Sequence, residues 1–131
     1  MKKIVFIFLM IANLIVAKSF AQVSFRQALD DFHNTLAFTY HPMADDSNFA
    51  PIHKRSAELA TGAEAIEKAL DGLPEKKAVL ENAVEQLAEQ CKALDDVIQK
   101  GAPDEIIRTR LTAIHSKFHE IDEMFSKEEK K

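Results

Sequence analysis

Leu80, Val84, Leu87, Cys91, Leu94 and Ile98 recur at alternating steps of four and three residues, the spacing that lays one apolar stripe along an α-helix. No other feature constrains the fold so tightly, because the pattern returns three more times. Phe25, Leu29, Phe32, Leu36 and Thr39 make the first stripe, and Ile52, Ser56, Leu59, Ala63, Ile66 and Leu70 the second. Ile107, Leu111, Ile114, Phe118, Ile121 and Phe125 make the last. No run alternates with the period of two that a half-buried strand requires. Four such stripes bury themselves by packing on one another, and short connections favour opposed neighbours. The expected fold is all-α, an antiparallel up-down-up-down four-helix bundle with helices roughly at 25–41, 49–71, 74–100 and 103–127.

The punctuation agrees with the stripes. Ser24-Phe25-Arg26-Gln27 fits a capping box for the first helix. Pro42 is expected to end that helix and to push His41 out of helical backbone angles. The polar loop 43–47 follows, then Asn48 as a cap, with Pro51 tolerated in the next first turn. Gly72-Leu73-Pro74 and Gly101-Ala102-Pro103 read as a stop followed by a start. Asp104 and Glu105 suit a helix N-terminus, and the charged segment 127–131 is expected to fray.

The start of the chain reads differently. Lys2 and Lys3 precede an apolar run, 4–17, and Ser19 and Ala21 stand where a signal peptidase wants small residues. The run is short for a membrane span. Residues 1–21 are therefore expected to be a cleaved signal peptide, leaving 22–131 as a single domain that is periplasmic or secreted and not inserted in the membrane. Cleavage takes the seventeen basic residues to fourteen against twenty-one acidic ones, a net charge of −7. Such a chain is poorly suited to nucleic acid, whose binding depends on neutralising phosphates. Cys91 is the single cysteine, so no disulfide forms within the chain and the core alone must hold the fold.

Chemistry is concentrated in five histidines, each directly after an apolar or aromatic residue: His33, His41, His53, His115 and His119. One residue turns a helix by about 100°, so four of them, His41 excepted, share the same flank of their stripes. If that flank of the first helix faces the fourth, His33 falls near the level of residues 112 to 118. His115 and His119, four apart, are neighbours on one face. His33 then completes a three-histidine group, with His41 at the edge of the same seam. The alternative packing turns the flank towards the second helix and brings His41 near His53. Imidazoles on paired helical positions suit zinc, copper or nickel. Asp30, Asp122 and Glu123 are close enough in sequence to support the ligands or join them.

The blander readings are specific too. A His-x-x-x-His pair is often a plain solvated face, so His33 and His41 carry the metal reading. His53 is expected to be an ordinary surface or interface residue. Cys91 lies on the third stripe, where a thiol packs and stays inert more often than it ligates. Met43 is a conceivable thioether ligand in its loop. A haem held by two histidines, or by histidine and Met124, is possible in a bundle core, though no Cys-x-x-Cys-His motif is present. No spacing marks a nucleophile elbow or an ordered triad, so no catalytic residue and no enzyme activity are expected.

Tyr40-His41-Pro42-Met43, the acidic loop, Asn48-Phe49-Ala50-Pro51-Ile52 and His115-Ser116-Lys117-Phe118-His119-Glu120 resemble small exported four-helix-bundle proteins of bacterial envelopes that are taken to bind metal. The resemblance implies that His41, His115 and His119 act together, with His33 beside them. Matching of levels prefers His33 to His41, so the ligand set stays open while the seam between helices one and four does not change. The expected metal ligands are His33, His41, His115 and His119, in a protein that buffers, carries or senses a transition-metal ion. The competing expectation is a structural or interaction module of the envelope, without metal, whose function comes from a partner protein.

Overall fold

The computed structural model describes residues 23–75 and 77–131. The expected signal peptide lies outside the described residues. Among the described residues four α-helices follow one another: α1 Phe25–Asp46, α2 Ala50–Ala69, α3 Ala78–Gln99 and α4 Asp104–Glu129, with a 3-10 turn at Leu70–Gly72 after α2. Among the described residues there is no strand, and no helix is long and apolar enough to cross a membrane.

The helices bury the stripes read from their spacing, with Phe125, the last of its stripe, only partly covered. Leu29, Leu36, Ile52, Leu59, Leu87, Leu94, Leu111 and Ile114 are fully enclosed in one core. Consecutive helices pack on one another, and α1 also meets α4. Along the α1/α4 seam the partners run in opposite order. Phe25 meets Phe125 edge to face at 4.7 Å, Phe32 meets Phe118 at 5.4 Å, and the Met43 carbonyl accepts from Arg108 Nη1 at 3.2 Å. Between α1 and α2 the approach is close at Gly62, where a β-carbon would lie 3.2 Å from Phe32 Cδ2. Thus a mid-helix glycine leaves room for an aromatic ring.

Three expectations about boundaries need correction. Pro42 does not end α1, which runs on to Asp46 with His41 helical. The proline forfeits one backbone hydrogen bond. The stripe continues past it, however, and Met43, four beyond Thr39, is fully buried in the core rather than lying in a loop. A left-handed Ser47 (φ 52°) then closes the helix, as Ser47 and Asn48 donate backbone N–H bonds to the Met43 and Pro42 carbonyls, each at 3.0 Å. The second correction is at the other end of the bundle. Leu73, ahead of Pro74, is extended (ψ 135°), as a residue before proline prefers, and α3 begins at Ala78, after an extended Lys77, and not at Pro74.

The third concerns the tail. Helix α4 runs to Glu129, two residues past the end expected at 127. Arg26, on the first turn of α1, binds Asp122 at 2.7 Å and Glu129 at 2.8 Å, and its Nη2 donates to Ser126 Oγ at 3.2 Å. Lys77 pairs with Glu128 from the α3 side. Ser24 caps α1 as read, its Oγ accepting from Gln27 N–H at 3.1 Å. The N-cap position of α2, by contrast, is Phe49 and not Asn48, whose Oδ1 accepts from Ala50 N–H at 3.1 Å from one residue further out. Gly101 takes the positive φ (81°) that closes α3.

Candidate metal centre

Helix α1 presents His33, Tyr40 and His41 on the edge of its stripe, and α4 presents His115 and His119. The first packing alternative is the one adopted: this flank of α1 turns to α4, not to α2. His33 stacks on Phe118 (centroids 5.3 Å apart, planes 11°) and stands 6.1 Å from the His119 ring. It therefore meets residues 118 and 119, the far edge of the expected 112–118. His41 stands 6.3 Å from His115. At the centre, His115 and His119 are 4.5 Å apart by ring centroids, and their Nε2 atoms approach to 3.1 Å.

His41, expected at the edge of this seam, reaches it from within the helix and not from a loop. Tyr40 lies flat on His115, with centroids 3.8 Å apart and planes 10° from parallel, so its phenol ring fixes the plane of that imidazole. Sequence reasoning passed over Tyr40 as a site residue. The signal was there, since Tyr40 follows His33 by seven positions and so returns to the same side of the helix.

The electrostatics are those of a crowded imidazole group. His115 is the half-buried member; His33, His41 and His119 are exposed. Burial first, and then the charges that His119, His41 and His33 carry when protonated, hold His115 below the ordinary histidine pKa. A base kept neutral at physiological pH has its lone pair free to ligate.

Two nitrogens on one zinc ion at 2.0–2.1 Å lie about 3.3 Å apart across a tetrahedral edge. The 3.1 Å between His115 Nε2 and His119 Nε2 is close to that value, and equally fits a hydrogen bond in which one ring donates and the other accepts. Among the described residues, no three His, Cys, Asp or Glu side chains already converge on one point. A third ligand has to swing in, and the exposed His33 and His41 stand on either side of the pair. Asp45 lies 3.9 Å from His41 Nδ1, beyond hydrogen-bond reach.

The other candidates lie elsewhere. His53 is exposed on α2. Cys91 is fully buried on α3, where burial pushes its thiol up to about 12. Met43 packs in the core. The expected supporting carboxylates do not turn to the histidines: Asp30 and Asp122 face Arg26, and Glu123 pairs with Lys127 at 2.8 Å. Arg26, one turn before Asp30 and across the seam from Asp122, and Lys127, one turn after Glu123, hold those charges away from the imidazoles. Met124 lines an open hollow of about 880 Å³ with Leu73, Val79, Leu80 and Phe125, and no histidine borders it. Compared with family models, with curated proteins and with solved structures, the chain finds no match.

Proposed function

We propose that this chain is an exported, antiparallel up-down-up-down four-helix bundle that binds a transition-metal ion (zinc, copper or nickel) through His33, His41, His115 and His119 where α1 meets α4. It buffers, carries or senses the ion and has no catalytic role. The observation that carries the reading is the seam itself: four imidazoles from two helices stand side by side, and the central two already hold their nitrogens 3.1 Å apart. The opposed order of partners along α1 and α4 supports the antiparallel arrangement. Export to the periplasm or the medium rests on the leader read at 1–21, with no membrane insertion once it is removed. An envelope protein that delivers or receives the ion is a natural partner.

An ion that binds only the folded protein stabilises it by an amount that rises with the logarithm of its free concentration over Kd, about 2.7 kcal/mol at a hundredfold excess over Kd. Wild-type protein should therefore melt higher with zinc or copper, and a His115→Ala, His119→Ala variant should not. Equal shifts in the two proteins would sink the proposal.

A second reading is favoured by one observation. The His115–His119 contact and the Tyr40 stack satisfy these rings without any ion, as they would in a structural or interaction module. Its signature is the absence of any metal-dependent shift, together with a change of oligomeric state between pH 7.5 and 5.5, about the range in which imidazole titrates.

A further inference from the structure

The four imidazoles form a line and not a ring. Successive centroids are 6.1 Å apart from His33 to His119, 4.5 Å from His119 to His115, and 6.3 Å from His115 to His41. His33 and His41 belong to one helix, eight positions and about 12 Å of axial rise apart. Side chains on a helix lean the same way, towards its N-terminus, so that separation persists out to the rings. Nitrogens bound to one ion at about 2 Å lie within about 4 Å of one another. One ion therefore draws in the central pair and one end of the line, and the other end stays free.

We propose that the seam holds two overlapping three-histidine sites, His33/His119/His115 and His119/His115/His41, which share the central pair and take one transition-metal ion in either of two positions. This rests on the metal-binding reading above. Moving between positions exchanges one ligand while two bonds persist, so the ion can shift along the seam without returning to solvent. One tight ion per chain follows, since both positions need the same pair.

The two positions have different surroundings. The His33 end is backed by the Phe118 ring, stacked at 11°. The His41 end has Tyr40 at 5.6 Å and the Asp45 carboxylate 3.9 Å from His41 Nδ1. Copper(II) bound at the two positions should thus give distinct spectra. Tyr40, the single tyrosine in a chain without tryptophan, lies flat on the shared His115 at 3.8 Å, so its emission reports an ion at either position.

The test is a copper(II) titration of the full chain and four variants: His33→Ala, His41→Ala, both together, and His115→Ala with His119→Ala. Affinity is followed by competition with a chelator and the bound ion by electron paramagnetic resonance. Wild type should bind one ion with two superimposed signals. Each single variant should keep one ion and one of the two signals. Removing both ends should cost about tenfold or more beyond the product of the two single losses, the mark of interchangeable ligands. A double loss equal to that product would place all four histidines on one ion and overturn the proposal. So would one single variant carrying the whole loss while the other is silent, which is a fixed triad. Wild-type protein that binds no copper would overturn the metal reading itself. His33 and His41 are exposed, so their variants should melt like wild type, and glutamine in place of alanine checks any that does not.

Discussion

Replacing Met43 by alanine separates the helix that runs through Pro42 from the loop that a proline invites. The Met43 side chain is fully enclosed, while its carbonyl is held by Ser47 N–H at 3.0 Å and by Arg108 at 3.2 Å. The substitution leaves those backbone bonds in place and deletes the buried thioether arm. Truncating a buried methionine to alanine costs about 2–5 kcal/mol, the spread reflecting how far the site collapses. Unfolding entropy is about 2.1 cal/mol/K per residue, or about 0.23 kcal/mol/K for a domain of about 110 residues. A loss near the lower middle of the range, about 3 kcal/mol, then lowers Tm by about 13 °C. A methionine in an exposed loop changes stability by about 0.5 kcal/mol or less, which is about 2 °C. Circular dichroism melts of the two proteins, backed by urea titration, decide the matter. A drop of only 2 °C would refute the burial of Met43 and with it the helical placement of His41 beside His115.

Other perturbations follow from the same contacts. His115 has its folded pKa below the ordinary value, so around and below pH 6.5 the unfolded chain binds the extra proton more readily. Stability should fall as pH drops from 7.5 to 5.5 and level off once the folded value is passed, and His115→Ala should flatten the decline; a steeper decline in the variant would contradict the assignment. Cys91 is buried, with its thiol pushed up to about 12, so a thiol reagent at pH 8 should react only after denaturant unfolds the chain. Reaction in the native state would place the thiol outside the core. Arg26→Gln removes the tie to Asp122, Ser126 and Glu129; these groups are partly exposed, so about 1 kcal/mol or less is expected globally. Amide exchange should show the last turn of α4 opening, and protection there equal to wild type would refute the role given to Arg26.

The core was legible because burial acts on spacing. Leu80 through Ile98, and Ile107 through Ile121, occupy the buried positions that a period near 3.6 assigns them. What local signals misjudged were the ends. Pro42 carries a real cost for a helix, about 3 kcal/mol or more, from one lost hydrogen bond and a ring set against the preceding turn. It is opposed by Met43, whose place on the stripe was visible four residues after Thr39. The tail was misjudged because segment 127–131 looks like solvated charge, and its partners Arg26 and Lys77 are remote in sequence. Long-range ion pairs leave no trace in local composition.

The site was half legible for the same reason. That His115 and His119 adjoin follows from spacing alone. Which neighbour they face depends on the handedness of packing, and the spacing carries no sign of it. The choice between His33 and His41 also dissolved in three dimensions, because each flanks one member of the pair. Tyr40 was missed because an aromatic residue beside a stripe reads as core. Its seven-residue offset from His33 was the overlooked mark, and the flat stack on His115 is its consequence.

The measurement closest to the central claim is elemental analysis of the protein purified without a histidine tag. The account predicts a transition metal in about equimolar amount, absent from the His115→Ala, His119→Ala variant prepared in parallel. Metal-free wild type that also fails to take up zinc, copper or nickel on addition, or a double variant that retains its metal, would contradict it.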